Sequence, residues 1–265
     1  MSGLLRNLLA RTEGMVRLLP LTLVLGAAEA HAGSLICPIT SDTTLSSPIL
    51  SNPGFCDIFS GVTLKSHITL NNTGTLANYG TLENGGILVN SGALNNYGLL
   101  NNRNALYNYG SLKTSGTLIS NGLLNNTGSL NNTGTVHNYG PLQNDGTLNN
   151  NNYGTLQNSG KLGNAGTMSN AIQGTLSNLS GGTLVNSGKL YSKGTLNNWG
   201  VLTNSGVLNS GTLINLGPLL YNFNFGTLNN IGVLNNSGTL SSIGTLVNSG
   251  TLNRAYPVSS QTYYM

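Results

Sequence analysis

From Leu64 to Leu148 every sixth residue is leucine, with Val136 the one exception. Glycine precedes each of these positions by two residues from Gly74 to Gly146, except at Asn104. Asparagine precedes them by four from Asn72 to Asn144, except at Thr114 and Ser120. The unit Asn-x-Gly-x-Leu-x then runs less strictly to Leu252. A short strict period of this kind calls for stacked identical units rather than one irregular core. Apolar positions six apart form no face at 3.6 residues per turn, and so many glycines are costly in a helix, so the period excludes one.

The three marked residues fall at even offsets, and in an extended chain residues two apart share a face. Gly-x-Leu therefore reads as a short strand with both residues turned inward. Asn-x reads as the bend before it, where asparagine bonds to its own turn. Glycine near the bend lets the backbone approach the axis. Strands this short gain stability only by coiling, each rung bonded to the next at about 4.8 Å. Three hexapeptides per coil give an 18-residue, three-sided turn; two per coil give a flatter form with the same period. About thirty leucine positions make about ten coils, a rod about 50 Å long at that spacing. Stacked asparagines can add amide ladders between rungs. The fold class expected is all-β, a single parallel β-solenoid.

The period is interrupted only after residue 148. Leucine positions are eight apart at Leu148–Leu156, Met168–Leu176 and Leu176–Leu184, five apart at Leu208–Leu213 and nine apart at Leu219–Leu228. Glycine still stands two before each resumption, so the extra residues are expected to bulge from corners. Residues 64–252 thus form the solenoid, 33–63 an N-terminal cap segment, and 253–265 a tail.

Residues 1–32 have the pattern of a secretory signal peptide. Arg6, Arg11 and Arg17 precede the apolar run from Leu18 to Ala28, and Ala30-His31-Ala32 supplies small residues for cleavage. The run is about half the ~20 residues a spanning helix needs. No second run of spanning length follows, so no transmembrane helix is expected in the mature chain. Export implies an oxidising compartment, which makes a Cys37–Cys56 disulfide the plain expectation. The expected location is secreted or cell-surface, outer-membrane associated or periplasmic in a Gram-negative bacterium.

Only 6% of residues are charged, against about 25% in ordinary domains. Beyond residue 32 there are seven Lys/Arg and four Asp/Glu, an excess of three without a cluster. Nucleic-acid binding, which concentrates basic residues on one face, is not expected. The four acids Asp42, Asp57, Glu83 and Asp145 are scattered, and no serine is marked out by a neighbouring base and acid. No catalytic residue, cofactor or metal site is therefore assigned.

Leu76-Ala77-Asn78-Tyr79-Gly80-Thr81-Leu82 resembles the repeat unit of filamentous haemagglutinin-type adhesins. The resemblance extends over residues 64–252. It implies a right-handed parallel β-helix, a secreted bacterial protein and an adhesive role. The segment 33–63 is shorter than that family's secretion domain, and no barrel-like run of strands follows Leu252. The six-residue period also resembles that of left-handed β-helix acyltransferases, which use a catalytic histidine. His67 and His137, the histidines beyond residue 32, have no acidic sequence neighbour, and right-handed is the favoured expectation.

Two outward features offer recognition chemistry. Tyr79, Tyr97, Tyr109, Tyr139, Tyr153 and Trp199 stand just before the unit's glycine, and Tyr221, Phe223 and Phe225 crowd the nine-residue spacing. Exposed rings among polar neighbours suit sugars or protein surfaces, though ring stacking between neighbouring rungs is the favoured explanation. Tyr221, Phe223, Phe225 and Trp199 are the candidate adhesion surface, the first three on a loop. Threonine often precedes leucine, as at Thr75, Thr81, Thr117 and Thr135; β-propensity accounts for this, and a regular threonine array can also match ice. The leading function is an exported structural or adhesive surface protein whose partner is a protein or glycan of a host or neighbouring cell. The alternatives are a fibre subunit that self-associates through open solenoid ends and an ice-binding solenoid.

Overall fold

A computed structural model of the chain describes residues 33–46, 49–215, 221–224, 227–236, 239–242, 245–248, 251–254 and 263–264. The segment 1–32, expected to be a signal peptide, and Phe225 lie outside the described residues, as do the side chains of Tyr221 and Phe223. By compactness the chain divides into Met1–His31 and Ala32–Met265, and the described residues all belong to the second unit.

The described residues form 33 strands, most of four residues, and the strand pairs are parallel. Each strand lies in register with the strand one coil later: Leu76, Leu94 and Leu112 align, as do Leu82, Leu100 and Leu118, and Leu88, Leu106 and Leu124. Three stacks result, so the coil is three-sided with 18 residues. We call them face 1 (containing Thr69–Asn72 and Ile87–Asn90), face 2 (Thr75–Asn78 and Ala93–Asn96) and face 3 (Thr81–Asn84 and Leu99–Asn102). Face 1 is a sheet of its own. Faces 2 and 3 count as one because Lys189–Asn198, Val207–Asn215 and Thr227–Asn236 pass through the corner between them without a break.

The strand is not Gly-x-Leu. It is x-Leu-x-Asn, as in Thr75-Leu76-Ala77-Asn78, with leucine and asparagine both pointing inward and glycine left at the corner. Asparagine therefore ends the strand instead of making the bend. The reason lies in stacking. At Gly98 a Cβ would strike the carbonyl oxygen of Gly80 in the coil before, and lie 2.8 Å from that of Tyr79. The same collision recurs at Gly92, Gly110 and Gly116. Corners stack backbone on backbone, so they need the residue without a side chain.

Asparagine fills the inner slot because the corner leaves carbonyls to satisfy. On face 1, Asn52, Asn72, Asn90, Asn108, Asn126, Asn144, Asn164, Asn186 and Asn204 form an unbroken column. Each Nδ2 donates to the next Oδ1 at 2.6–2.8 Å. The second Nδ2 hydrogen goes to a backbone carbonyl just past the next coil's corner, as from Asn72 to Ala93 at 2.9 Å. Leucine and asparagine columns together leave the interior almost without exposed side chains: Leu64 through Leu124 and their asparagine partners are essentially fully buried.

The repeat starts earlier than Leu64. Leu50 aligns with Leu70, and Cys56 with Leu76, so Cys56 takes a leucine position. It is bonded to Cys37, as expected, with a Cα–Cα distance of 5.1 Å. Leu35, Ile39 and Leu45 are buried on the same apolar cluster at its N-terminal end. The eight-residue spacings do bulge at corners: Asn151–Gly154, Ala171–Gly174 and Leu179–Gly182 are four-residue corners between regular strands. At the nine-residue spacing the register differs from expectation. Asn222 aligns with Leu202, so the leucine row passes through Asn222, six residues before Leu228, and Tyr221–Asn224 is a strand of face 1 and not a loop.

Candidate functional site

A triangular coil has three long edges, and they differ. The edge between faces 2 and 3 lies opposite face 1. It carries the four-residue corners Phe59–Val62, Asn151–Gly154 and Ala171–Gly174. It also carries exposed apolar side chains in successive coils: Phe59, Tyr79 and Tyr97, then Tyr153 and Ile172 farther along. Phe55, on the adjoining strand of face 2, is exposed as well.

Tyr79 and Tyr97 are stacked, ring centroids 4.8 Å apart and planes 9° from parallel. Their position follows from the corner: Tyr97 N–H donates to Asn78 O at 2.8 Å, one coil back, as Tyr79 N–H does to Ile58 O at 2.9 Å. Corners one coil apart are thus held at strand spacing, which is ring-stacking distance. The next residue along the edge is Ser115, so the stack ends at Tyr97. Tyr153 is 74% exposed and adopts φ 66°, a conformation unusual for an aromatic residue. Its N–H donates to Gln173 O at 3.2 Å, which ties the two inserted corners together.

The other rings selected from the sequence are spread over the other edges. Tyr109 is on the edge between faces 1 and 2, while Tyr139 and Trp199 are on the edge between faces 3 and 1. Trp199 is half-buried. Tyr221 and Phe223 lie in the face 1 strand Tyr221–Asn224, with Phe223 aligned with Thr203 and Tyr221 with Thr239. The structure therefore does not bring Trp199 and Tyr221 onto the Tyr79–Tyr97 edge. Phe55, Phe59 and Ile172 were not singled out from sequence. The 18-residue separation of Tyr79 and Tyr97 was the available signal, once the coil length was known.

Charged groups are sparse and dispersed. Glu83 meets Arg103 at 3.6 Å on and beside face 3, a pair whose arginine is mostly exposed. Such a pair contributes little, about 0–1 kcal/mol. Asp145 is on another edge, bonded by Gln143 Nε2 at 2.8 Å. Among the described residues no three His, Cys, Asp or Glu side chains converge as a metal site would require. Among the described residues no helix is long and apolar enough to cross a membrane. Face 3 carries a half-buried threonine row, Thr63, Thr81, Thr117, Thr135, Thr155, Thr175 and Thr195, interrupted by Leu99. Its companion row holds Lys65, Glu83, Asn101, Ile119 and His137, so the hydroxyl array is one row wide.

No protein-family model matches the chain, and neither any curated protein nor any solved structure does. The fold and the edge chemistry are thus the basis for a functional reading.

Proposed function

We propose that this protein is an exported, non-catalytic structural or adhesive rod of the cell surface. On this reading it holds an aromatic edge toward a protein or glycan of a host or neighbouring cell. The supporting observation is the Tyr79–Tyr97 stack with exposed Phe59 one coil earlier, on the edge that also bears the inserted corners. The leucine and asparagine columns give a rigid support whose inside is uniform, so chemical variety is confined to the outside. Solvent-exposed rings flanked by amides and hydroxyls suit sugar faces and protein surfaces, and they need no charge.

The test is binding of the purified protein to cells and immobilised glycans, wild type against Tyr79→Ser/Tyr97→Ser. Both rings are outside the core, so the circular-dichroism spectrum should not change. We expect at least a tenfold loss of binding. Undiminished binding by the variant, or a wild-type protein found in the cytoplasm when its location is probed, would contradict the proposal.

A further inference from the structure

Face 1 differs from the other two in what it shows to solvent. Over four adjacent rungs its outward register positions are Ile87 and Val89, Ala105 and Tyr107, Leu123 and Asn125, Pro141 and Gln143; Ile87 and Pro141 are exposed, Ala105 is buried and the others are half-buried. Register stacks them directly: Ile87, Ala105 and Leu123 form one row, Val89, Tyr107 and Asn125 the other. The corresponding rungs of face 2 show Ala93 and Asn95, Ser111 and Lys113, Ser129 and Asn131, Thr147 and Asn149. Face 1 is also the least charged. From Ile49 to Asn204 its strands carry one charged residue, Lys161.

Face 1 is smooth as well. The corners with which it meets face 2 stay short from Pro53-Gly54 to Ser205-Gly206, and its own strands pair without a register shift. The bulges in register occur instead where faces 2 and 3 join. Most inserted corners are on the opposite edge, so they would not hinder a flat partner. Exposed Tyr109 and Tyr139 stand at the two borders of the apolar patch. An apolar, uncharged centre with aromatic borders is the composition of a protein–protein interface.

The geometry points to a second copy of this chain as the occupant, face 1 against face 1 in an isologous pair. Two flat sheets pack face to face at about 10 Å, and a twofold brings the same patch to itself. Nine strands of four residues at about 4.8 Å by 3.3 Å spacing present about 570 Å² per copy, or about 1,100 Å² for the pair. That clears the ~1,000 Å² needed for a specific contact, but only if the whole face takes part. The low charge removes the repulsion that usually keeps such faces apart.

Sedimentation velocity of the mature protein from 1 to 100 µM tests this. We expect the wild type to move toward twice the monomer mass with rising concentration. Ile87→Lys/Leu123→Lys should raise the dissociation constant at least tenfold with an unchanged circular-dichroism spectrum. Thr117→Lys, at the equivalent strand position of face 3, should leave it unchanged. Should the lysine pair fail to fold, Ile87→Ser/Leu123→Ser serves with the same readout. A wild type that is monomeric throughout, a face 1 variant that still dimerises fully, or equal loss in Thr117→Lys would each overturn the proposal.

Discussion

A glycine and an asparagine carry as much of this structure as the leucines do. Backbone N–H groups of the corner residues and of glycine bond to the asparagine carbonyl one coil back, as Tyr97 and Gly98 do to Asn78 at 2.8 and 2.9 Å. The coils thus stay hydrogen-bonded through the bend, where most chains would leave polar groups to water. The cost is that no Cβ fits at most of these glycines. Gly54 is different: nothing lies within 4 Å of its Cβ position, and its φ is not in the left-handed range. Gly98→Ala should therefore destabilise by about 3 kcal/mol or more, since corner backbones would have to separate. Gly54→Ala should be neutral or stabilising by up to about 1 kcal/mol through the unfolded chain. Paired urea-unfolding curves check the contrast, and similar losses at both sites would show that corner contact is not the reason for glycine.

At the scale of strands and columns, the three asparagine ladders are not equal. The face 1 ladder is continuous, whereas face 3 breaks at Ser120. Asn102 Nδ2 donates to Ser120 Oγ at 3.2 Å, but the hydroxyl turns to Gly122 O at 3.0 Å. Asn138 Oδ1, one coil on, is left buried without a partner. The same cause operates lower down, where Asn78 and Asn84 follow Ile58 and Ser66 and their Oδ1 atoms are likewise unpartnered. Each ladder is directional: Nδ2 points to the next coil, so a residue that cannot donate onward deprives the following oxygen of its ladder partner; after Thr114, Asn132 Oδ1 accepts from Gly134 N–H at 3.1 Å instead. Ser120→Asn should then stabilise the fold by about 1 kcal/mol, while Asn126→Ser in the continuous ladder should cost about 1–3 kcal/mol. Thermal unfolding of the two variants measures both, and a loss in Ser120→Asn would refute the directional ladder. The position of Thr114 and Ser120 as exceptions was visible in the sequence. That each breaks a ladder was not, because the sequence does not say which asparagine oxygen meets which amide. The strand boundary was misplaced for a related reason: even spacing puts Gly, Leu and Asn on one face, and only the contact between stacked corners decides which of them turns.

For the whole molecule, the period in the sequence carried the β-solenoid and its corner insertions, the export pattern and the two cysteines carried the Cys37–Cys56 bond, and two or three units per coil were left open. The structure shows three. From this follows the division of the surface into a smooth apolar face and an opposite edge with rings, which no single repeat reveals. Tyr79 and Tyr97 look alike to Tyr109 and Tyr139 within their units, and only an 18-residue coil sorts the first two onto one edge. Coil length is therefore the quantity on which the edge, the face and both proposals rest. It can be measured by disulfide trapping, because neighbours on stacked strands are about 4.8 Å apart and disulfides span Cα distances of about 4.4–6.8 Å. The native cysteines are already bonded to each other. Asn95 lies opposite Lys113 on face 2, whereas Tyr107, twelve residues from Asn95, is on face 1. Oxidation should close the bond in Asn95→Cys/Lys113→Cys and not in Asn95→Cys/Tyr107→Cys; closure in the second pair and not the first would contradict the three-sided coil.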